Sequence, residues 1–440
     1  INNDYSLFTN NVNNPITPRD FKGKAFAPVI PSFQYAYNKG KWSFQANFAL
    51  TGGGGKCTFD DGLGSFEKIV AETAIAACQL AGAVDQVAGA YNVPGIFSSN
   101  QCFGTEGKYS YNSYMHGRQY YYGLSAGAAY KFSDNFSAFL GVRGVYALTN
   151  YYGYVENIQV GQMPLYKVLN PAKESSANIE LSCDQSGVGF TPIIGVDYKT
   201  GRWNFSAKYE FKTRIRLKNK SVNQIPSIGN LPDNLRNAYI ANGVPEAAAD
   251  AILSNPKIQG AMVALKTQFD SKIDGAIGEY EDGKKIAGDI PAYLALGVGY
   301  SPVDAVRVNV GFHWFDDKNA TSYNNRNKEL KRGTLEYNAG VEVDVNKKIT
   351  LSTGWQNTNY GLSDEYMDDK SFVVSSNSVA IGGVYHINKK MDLNVAYFHT
   401  FYQHKKTTEP VQLTAEKSIN YSSDYTRNNN VFAVGLDINF

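Results

Sequence analysis

One short segment carries residue types that could support hydrolysis: Gly123-Leu124-Ser125-Ala126-Gly127 fits the pattern G-x-S-x-G. In hydrolases this spacing places the serine on a sharp strand-to-helix turn, where its hydroxyl is exposed. Ser125 lies instead within a run that alternates in polarity, where a small residue facing an enclosed space is the simpler interpretation. No His and Asp complete a set around it, so the sequence predicts no catalytic residue and no enzyme.

A second segment, Gly52-Gly53-Gly54-Gly55-Lys56, has the glycine content of a phosphate-binding loop. Leu50 stands at the first glycine position and Cys57 follows the lysine, so the pattern of such a loop is not met. The histidines are His116, His313, His386, His399 and His404, and they show no metal-ligand spacing. The sequence therefore predicts neither a metal nor a cofactor.

The cysteines are candidates for disulfide bonds, because all of them lie in long polar segments between predicted strands. They are Cys57, Cys78, Cys102 and Cys183. Disulfides would fit an oxidising compartment. Four cysteines allow three pairings, and the sequence does not choose among them.

Composition narrows the class of protein that must position these residues. The chain has 440 residues, of which 43% are hydrophobic, 13% aromatic and 19% charged, with a net charge of +2. The apolar content excludes disorder, and the small net charge argues against a nucleic-acid partner. The most apolar stretch, 71–91, is interrupted by Glu72 and Asp85, so a helical membrane span is excluded. A β-barrel is the other way to cross a bilayer.

A period of two residues runs through much of the chain. The last ten residues, 431–440, place Phe432, Val434 and Leu436 on one face, and end in an apolar Phe440. The same alternation recurs in pairs of segments joined by very short turns, such as 346–348 and 388–390. Alternation of this kind predicts strands with one apolar face.

Long polar connections separate these hairpins, so one end of the predicted sheet has tight turns and the other has long loops. The predicted loops are 52–117, 153–187, 217–288, 317–332, 361–375 and 404–428. Outer-membrane barrels show this asymmetry, with turns in the periplasm and loops outside the cell. We therefore predict an all-β membrane protein, a barrel of about 14 antiparallel strands in a single domain over 1–440. Because an unpaired strand edge is not tolerated in lipid, we expect the last strand, with Phe440, to pair at the barrel seam with residues 5–8.

The two faces of the predicted strands favour the barrel over a soluble sandwich. In segment 203–216 one face is aromatic and the other polar, and aromatic residues gather near strand ends, as membrane girdles require. The polar face predicts a lumen lined by Lys208, Glu210, Arg214, Arg307 and Glu342. These residues could line a channel, or simply give a wide barrel its hydrated interior.

Two of the predicted loops, 52–117 and 217–288, contain helical patterns with apolar residues that need cover. Packing over the barrel mouth would provide it and would form an apolar pocket there. The predicted lining residues are Phe66, Ile69, Val70, Ile252 and Val263.

The ordered series of segments resembles the FadL-type outer-membrane transporters of long-chain fatty acids and other hydrophobic compounds. Ala27-Pro28-Val29-Ile30-Pro31-Ser32-Phe33 is similar to the second strand of that family, and segment 42–51 with its following glycines to the third. Asp289-Ile290-Pro291-Ala292 is similar to the start of the eighth strand. The closing hairpins and Phe440 match in order and spacing.

The resemblance implies a monomeric 14-stranded barrel of the Gram-negative outer membrane, with an N-terminal hatch in its lumen. That hatch, with an Asn-Pro-Ala motif, would lie upstream of Ile1. Asn170-Pro171-Ala172 falls in a loop and is interpreted as chance. Family fatty-acid transporters carry a cation near the top of the fifth strand. Segment 146–153 has none, which favours an apolar ligand over a carboxylate.

The resemblance further implies that ligand is captured by the loops and leaves sideways through a kink in the third strand. Gly52, Gly53, Gly54 and Gly55 follow that strand, and consecutive glycines are typical of bulges and kinks. A simple strand end is the alternative. We expect passive uptake of hydrophobic small molecules, long-chain fatty acids or similar lipids. A binding or adhesion barrel and a general porin are the alternatives.

The alternating apolar face predicts a heat-modifiable barrel that needs detergent or lipid to remain in solution. Unheated protein should migrate faster than boiled protein on a denaturing gel, because the barrel stays folded until it is heated. A chain that is monodisperse in plain buffer would contradict the membrane assignment.

Overall fold

The computed structural model describes residues 1–93, 95, 107–226, 228, 230–413 and 416–440. Within those residues, no helix is both long enough and apolar enough to cross a membrane. The strands are β1 (Asn2–Tyr5), β2 (Arg19–Asp20), β3 (Gly23–Phe26), β4 (Phe33–Lys39), β5 (Trp42–Phe59), β6 (Tyr109–Lys131), β7 (Phe136–Val160), β8 (Met163–Pro164), β9 (Ile179–Thr200), β10 (Trp203–Glu210), β11 (Arg216–Ser221), β12 (Lys285–Ala287), β13 (Tyr293–Val303), β14 (Val306–Phe315), β15 (Thr334–Asn346), β16 (Ile349–Asn359), β17 (Ser376–Asn388), β18 (Met391–Tyr402), β19 (Lys405–Gln412), β20 (Ser418–Tyr425) and β21 (Asn428–Ile438).

The strands divide into two sheets. β19, β20, β1 and β2 form a small four-stranded sheet, and the other strands form one barrel sheet. The ladders of consecutive strands from β13 to β18, and of β18 with β21, are antiparallel, as are those of β5 with β6 and β6 with β7; the ladder of β6 and β7 is the longest. The predicted fold class, an antiparallel all-β barrel with partly helical loops, is confirmed.

The two faces of the wall differ as the alternation predicted, and β7 shows the difference clearly. Leu140, Val142 and Tyr146 are 67%, 48% and 46% exposed on the outer face, where lipid would cover them. Val145 and Ala147 point the other way and are buried inside the barrel. An apolar outer face next to hydrocarbon is the arrangement that a transmembrane barrel requires.

Aromatic rings cluster on the wall near the tight turns. Trp203 of β10 lies against Tyr300 of β13 with ring centroids 4.3 Å apart, and Trp42 of β5 lies 4.7 Å from Tyr130 of β6. All four rings are amphipathic and sit where the strands reverse, which is the place of an interfacial aromatic girdle.

The long loops are shorter than the sequence indicated, because several strands continue beyond the apolar band. β5 runs to Phe59 and β6 begins at Tyr109, so the first long loop is 60–108 rather than 52–117. Similarly β7 extends to Val160 and β9 starts at Ile179. Above the membrane both faces meet protein or water, so the alternation that marks a strand is lost there.

The loop helices are α1 (Gly64–Ala90), α2 (Tyr166–Leu169), α3 (Leu231–Ala241), α4 (Glu246–Leu253) and α5 (Pro256–Ile277). Pro232 and Pro256 lie in the first turn of their helices, where a missing N–H costs nothing. The Asn255 side chain caps α5 by accepting the Lys257 N–H at 2.9 Å. Each helix of this loop therefore begins within one residue of a proline, at Pro232, Pro245 or Pro256.

These helices, the small sheet and the extended strand ends form one apolar assembly at the loop end of the barrel, which we call the cap. Its buried core combines Val70 and Val84 of α1 with Tyr239 of α3 and Ile252 of α4. Inward-facing residues of the strand ends, such as Leu181 of β9, complete it. The cap therefore packs on the inner faces of the strands and covers this part of the mouth.

The N-terminal segment belongs to the cap. The sequence suggested that residues 5–8 would pair with the last strand at a barrel seam, and this was wrong. Tyr5 instead lies opposite Tyr421 of β20, and both Tyr5 and Phe8 are fully buried in the cap core. Burial of these two aromatic side chains among other apolar residues outweighs any pairing preference of a short strand.

A single buried carboxylate ties this segment to the helices and the wall. Glu67 of α1 is 0% exposed and forms an ion pair with Arg19. It accepts hydrogen bonds from the Asn11 amide at 2.8 Å and from the Tyr109 and Tyr111 hydroxyls at 3.0 and 2.9 Å. Burial, and then the charge of Glu67, raise the pKa of both tyrosines, which keeps them protonated as donors.

Glu67→Gln should release the N-terminal segment from the cap while leaving the barrel intact. The substitution leaves the partly buried Arg19 guanidinium without a charged partner. Removing one partner of a buried pair costs about 3–5 kcal/mol, and the exposure of Arg19 places this pair at the lower end of that range. Limited proteolysis should then cut within residues 1–21 at least tenfold faster.

Asp60→Asn serves as the control, because the Lys24–Asp60 pair is exposed and such pairs contribute little. Equal protection of this segment in both variants would show that Glu67 does not hold it.

Candidate functional site

The cap contains an apolar cavity of about 30 Å³ between α1, α2, α3 and α5. Its lining residues are Thr73, Ala77, Leu80, Ala81, Leu165, Leu169, Ile228, Leu231, Leu235, Leu265 and Phe269. An engineered cavity that binds benzene measures about 150 Å³. The helices must therefore separate before the cavity can admit even a small aromatic ring.

The predicted pocket residues lie on the correct helices but do not line this cavity. Val70 and Ile252 are buried in the cap core, and Phe66 and Ile69 are half-buried beside it. Val263 is 63% exposed and points away from the core, so its prediction as a lining residue was wrong. Helical periodicity identified an apolar face, but the neighbouring loop decides which of its residues meet a void.

The cap is joined to the wall at the start of α1. The Ser65 N–H donates to the Asp369 carboxylate at 2.8 Å, at the positive end of the helix dipole. Burial raises the pKa of Asp369 to about 6, and the neighbouring Asp368 adds to the shift. A buried carboxylate of loop 360–375 thus holds the long helix of loop 60–108.

Below the cap, apolar side chains meet inside the barrel in what we call the lumenal apolar cluster. Its members are Val145, Ala147, Ile215, Leu217 and Ile286, with Tyr121, Ile290 and Tyr323 packed against them. Gly187 and Gly189 of β9 leave room for this contact, since a Cβ on either would lie within 2.9 Å of Ile215. The cluster places an apolar surface in a lumen that is otherwise polar.

The middle of the lumen carries charge in compact pairs. Arg143 reaches Glu210 at 2.6 Å, and Lys208 reaches the other carboxylate oxygen at 3.0 Å. Lys208 and Glu210 thus lie together on the lumen side, with both oxygens of Glu210 neutralised by cations. The Lys208 ammonium also lies 5.3 Å from the ring centroid of Tyr293.

The turn end of the lumen is a wide polar cavity of about 630 Å³. Its lining residues are Arg307, Glu342, Asp344, Asn346, Lys347, Thr350, Val384, His386, Asp392, Asn394 and Asp437. Arg307 bridges Glu342 and Asp344, and all three side chains line this cavity. His386 Nδ1 donates to the Asp392 carboxylate at 2.7 Å, and its Nε2 lies 3.0 Å from the Thr350 hydroxyl.

Arg214 is the exception among the predicted lumen residues, because it lies on the outer face of the wall. The chain advances eight residues from Glu210 to Lys218 while its partner β9 advances seven, from Ile193 to Ser186. One extra residue reverses the faces, so Thr213 and Ile215 point inward and Arg214 outward. Regular alternation continued from Lys208 could not reveal this bulge.

The wall is interrupted beside β5. β5 pairs with β4 through Trp42 to Phe48 and with β3 through Lys56 to Phe59. No ladder pair joins the intervening segments 27–32 and 49–55, both of which are described in full. Segment 27–32 contains Pro28 and Pro31, which cannot donate to a ladder.

On its other edge, β5 has two register shifts within four glycines. The pairs with β6 run Leu50↔Tyr122, Gly52↔Tyr121, Gly53↔Tyr120 and Gly55↔Gln119, so Thr51 and Gly54 are extra residues. Gly53 and Gly55 have φ angles of +79° and +107°, which favour glycine. The glycines thus lie inside a bulged strand and not at a strand end.

The interruption adjoins the lumenal apolar cluster through one side chain. A Cβ on Gly52 would lie 2.9 Å from the Tyr121 ring, and Tyr121 packs against the cluster. An apolar surface inside the barrel therefore continues to a part of the wall that lacks ladder hydrogen bonds. Whether ligand leaves there stays a prediction.

Two of the cysteines do not form the expected disulfide bonds. Cys57 and Cys183 carry free thiols, so the disulfides suggested for these two were wrong. Cys183 is buried in the cap core and behaves there as a small apolar residue. Cys78 lies on α1, and Cys102 falls outside the described residues.

An apolar outer face, a polar lumen, tight turns at one end and a loop cap at the other define a transmembrane β-barrel of the outer-membrane class. No protein-family model matches the sequence. No curated protein matches it either.

Solved structures do match. A FadL homologue of Pseudomonas aeruginosa superposes with a TM-score of 0.54 at 14% identity, over 93% of this chain and 78% of that protein. The Ralstonia pickettii toluene transporter TbuX gives 0.47 at 12% identity, over 93% and 80%. The Pseudomonas putida toluene transporter TodX gives 0.46 at 12% identity, over 93% and 82%. The likeness to the FadL homologue shows the fold: this chain has the FadL-type barrel fold that its sequence resembles.

The geometry of the glycines predicts different effects on barrel stability for substitutions at two neighbouring positions. Gly53→Ala should destabilise the barrel by about 1–3 kcal/mol, because its Cβ would lie 2.2 Å from the Gln119 carbonyl oxygen at a positive φ. Gly54→Ala should be nearly neutral, since no atom lies within 4 Å of its Cβ. The fraction of protein that keeps the fast gel mobility of the folded barrel, followed as a function of temperature, gives an unfolding midpoint for each variant. Equal midpoints for the two variants would contradict the bulge assignment.

Proposed function

We propose that this outer-membrane barrel takes up hydrophobic small molecules passively, acting as a single chain and not as an enzyme. The observation that carries the proposal is the interrupted wall at β5 together with the lumenal apolar cluster behind it. An apolar surface that leads to the lipid side of the wall would bind hydrophobic solutes and would not bind polar ones. The solved transporters of toluene share the general architecture, but the proposal rests on this chain's own residues.

Capture begins at the cap. Its cavity is lined by leucine, isoleucine, alanine and Phe269, with Thr73 as the single polar contributor among the described lining residues. Such walls favour a ligand that has hydrocarbon or an aromatic ring to bury, at about 25 cal/mol per Å² of apolar area. No cation lines the described cavity, so uncharged ligands are favoured over a fatty-acid carboxylate. The alkyl chain of a fatty acid or lipid, like an aromatic ring, would enter only after the helices separate.

Release is proposed to be lateral. From the lumenal apolar cluster, a ligand could continue downward into the 630 Å³ polar cavity around Arg307 and Asp344. Leaving apolar surroundings for that hydrated space costs about 0.8 kcal/mol per CH₂. Passing the ladder gap between segments 27–32 and 49–55 leads into bilayer hydrocarbon at no such cost.

The alternative of a general porin requires an open mouth. The described cap covers part of the mouth with an apolar core that includes Val84, Tyr239 and Ile252. Maintaining a packed apolar cover over a water-filled pore would serve no purpose for hydrophilic solutes, so the porin alternative is disfavoured.

Uptake tests the lateral route. Gly54→Val places an isopropyl group in open space at the gap, so it should lower uptake of a hydrophobic substrate such as toluene several-fold in cells while folding persists. Gly354→Val is the matched control, since its Cβ meets only ordinary contact, 3.5 Å from the Ala339 oxygen, in another part of the wall. Equal uptake by the two variants would show that the ligand does not leave beside β5.

A separate measurement tests capture. Phe269→Ala and Leu80→Ala should change the affinity for a hydrophobic fluorescent probe at least severalfold, because both residues line the cap cavity. Val263→Ala, an exposed residue of the same helix as Phe269, should leave probe binding unchanged. Unchanged binding in all three variants would remove the cap cavity from the pathway.

A further inference from the structure

The bulge that turns Arg214 outward also turns its neighbours, and it produces a line of cations on the outer face of the barrel. Every second residue from 214 to 220 is basic and exposed: Arg214, Arg216, Lys218 and Lys220. Lys285 of β12 lies directly opposite Lys218 and is also exposed. We call these five residues the basic stripe.

The inward neighbours confirm which way the basic stripe faces. Thr213, Ile215 and Leu217 are at most 5% exposed, and the latter two belong to the lumenal apolar cluster. Asn219 is 2% exposed and accepts a hydrogen bond from Gln185 of β9 inside the barrel at 2.9 Å. Since alternate residues of a strand point to opposite faces, the basic stripe faces outward.

The level of the basic stripe on the wall is set by its pairing with β9. Lys218 and Lys220 lie opposite Ser186 and Asp184. Continuing this register places Arg216 and Arg214 beside Val188 and Phe190, which are 62% and 70% exposed and are the last apolar residues of that outer face. The basic stripe thus begins at the upper edge of the apolar band and rises on the loop side.

The charge of the basic stripe is mostly uncompensated within the protein. Among the described residues, Arg214, Lys218, Lys220 and Lys285 form no ion pair, whereas Arg216 contacts Asp289 at 2.6 Å. The acidic residues that the strand register places nearest to the stripe already accept other hydrogen bonds. Asp184 accepts one from the Asn150 amide at 2.8 Å, and Asp282 accepts one from the Ser221 N–H at 2.8 Å.

We propose that the basic stripe binds the phosphate groups of lipopolysaccharide in the outer leaflet. An anionic group at the boundary between hydrocarbon and water would meet Arg214 and Arg216, and phosphates further out would meet the lysines. Guanidinium and ammonium groups are the usual protein partners of phosphate, and the acyl chains would lie on the apolar face below, at Phe190 and Val188. The proposal depends on the barrel's orientation in the outer membrane, with its loops outward, and not on transport.

Lipid retention tests the proposal. The variant Arg214→Gln, Lys218→Gln, Lys220→Gln and Lys285→Gln should bind lipid A bearing its phosphates at least about tenfold more weakly than the parent, measured by native mass spectrometry in detergent. Removing the same charge at the turn end with Lys347→Gln, Lys348→Gln, Lys389→Gln and Lys390→Gln should leave binding unchanged. Heat modifiability verifies that each variant is folded, and Lys218→Gln with Lys220→Gln replaces the first if it is not.

Two further binding experiments identify the source of the phosphate. Dephosphorylated lipid A should bind the parent as weakly as phosphorylated lipid A binds the stripe variant. Inorganic phosphate at millimolar concentration should not displace the lipid, because it lacks the acyl chains. Equal binding of both lipids, displacement by phosphate alone, or an equal loss in the turn-end control would each overturn the proposal. Toluene uptake should be unchanged in the stripe variant, which separates this proposal from the transport function.

Discussion

The structure depends on one constraint: a chain in hydrocarbon must satisfy every backbone N–H and C=O within itself. The long ladders of β6 with β7 and of β7 with β9 meet that demand through the membrane and beyond it. Against this background the unpaired segments beside β5 are costly, and the prolines and glycines that create them are concentrated there. A costly interruption at one place in an otherwise regular wall is the physical reason to assign it a role.

The cap meets a different demand, that of covering apolar loops in water. It does so by joining segments far apart in the chain: the N-terminal residues, α1, the helices of loop 222–284 and the β19–β20 hairpin. Glu67 makes this assembly specific, since its carboxylate needs Arg19, Asn11 and two tyrosines together. Along the barrel axis the surroundings thus pass from the apolar cap, through the lumenal apolar cluster, to a polar cavity at the turns.

Register connects the lumen with the outer surface. One extra residue between Glu210 and Thr213 sends isoleucine and leucine inward, where they form the lumenal apolar cluster, and sends arginine and lysine outward. The same bulge therefore shapes the proposed ligand path and the proposed lipid contact. A local irregularity of one residue has two consequences because the faces of a barrel strand meet two different media.

The amino-acid sequence alone was enough to predict the fold class, the position of the tight turns, the aromatic girdle and the helical character of two loops. These features follow from local periodicity, because lipid on one side and water on the other impose a two-residue alternation. The packing of distant segments was needed to establish that residues 5–8 enter the cap, that Leu80 and not Val263 lines its cavity, that Cys57 and Cys183 carry free thiols, and that Arg214 faces outward. Each of these depends on a partner distant in the chain or on a bulge that adds one residue, and periodicity within a single segment carries no information about either.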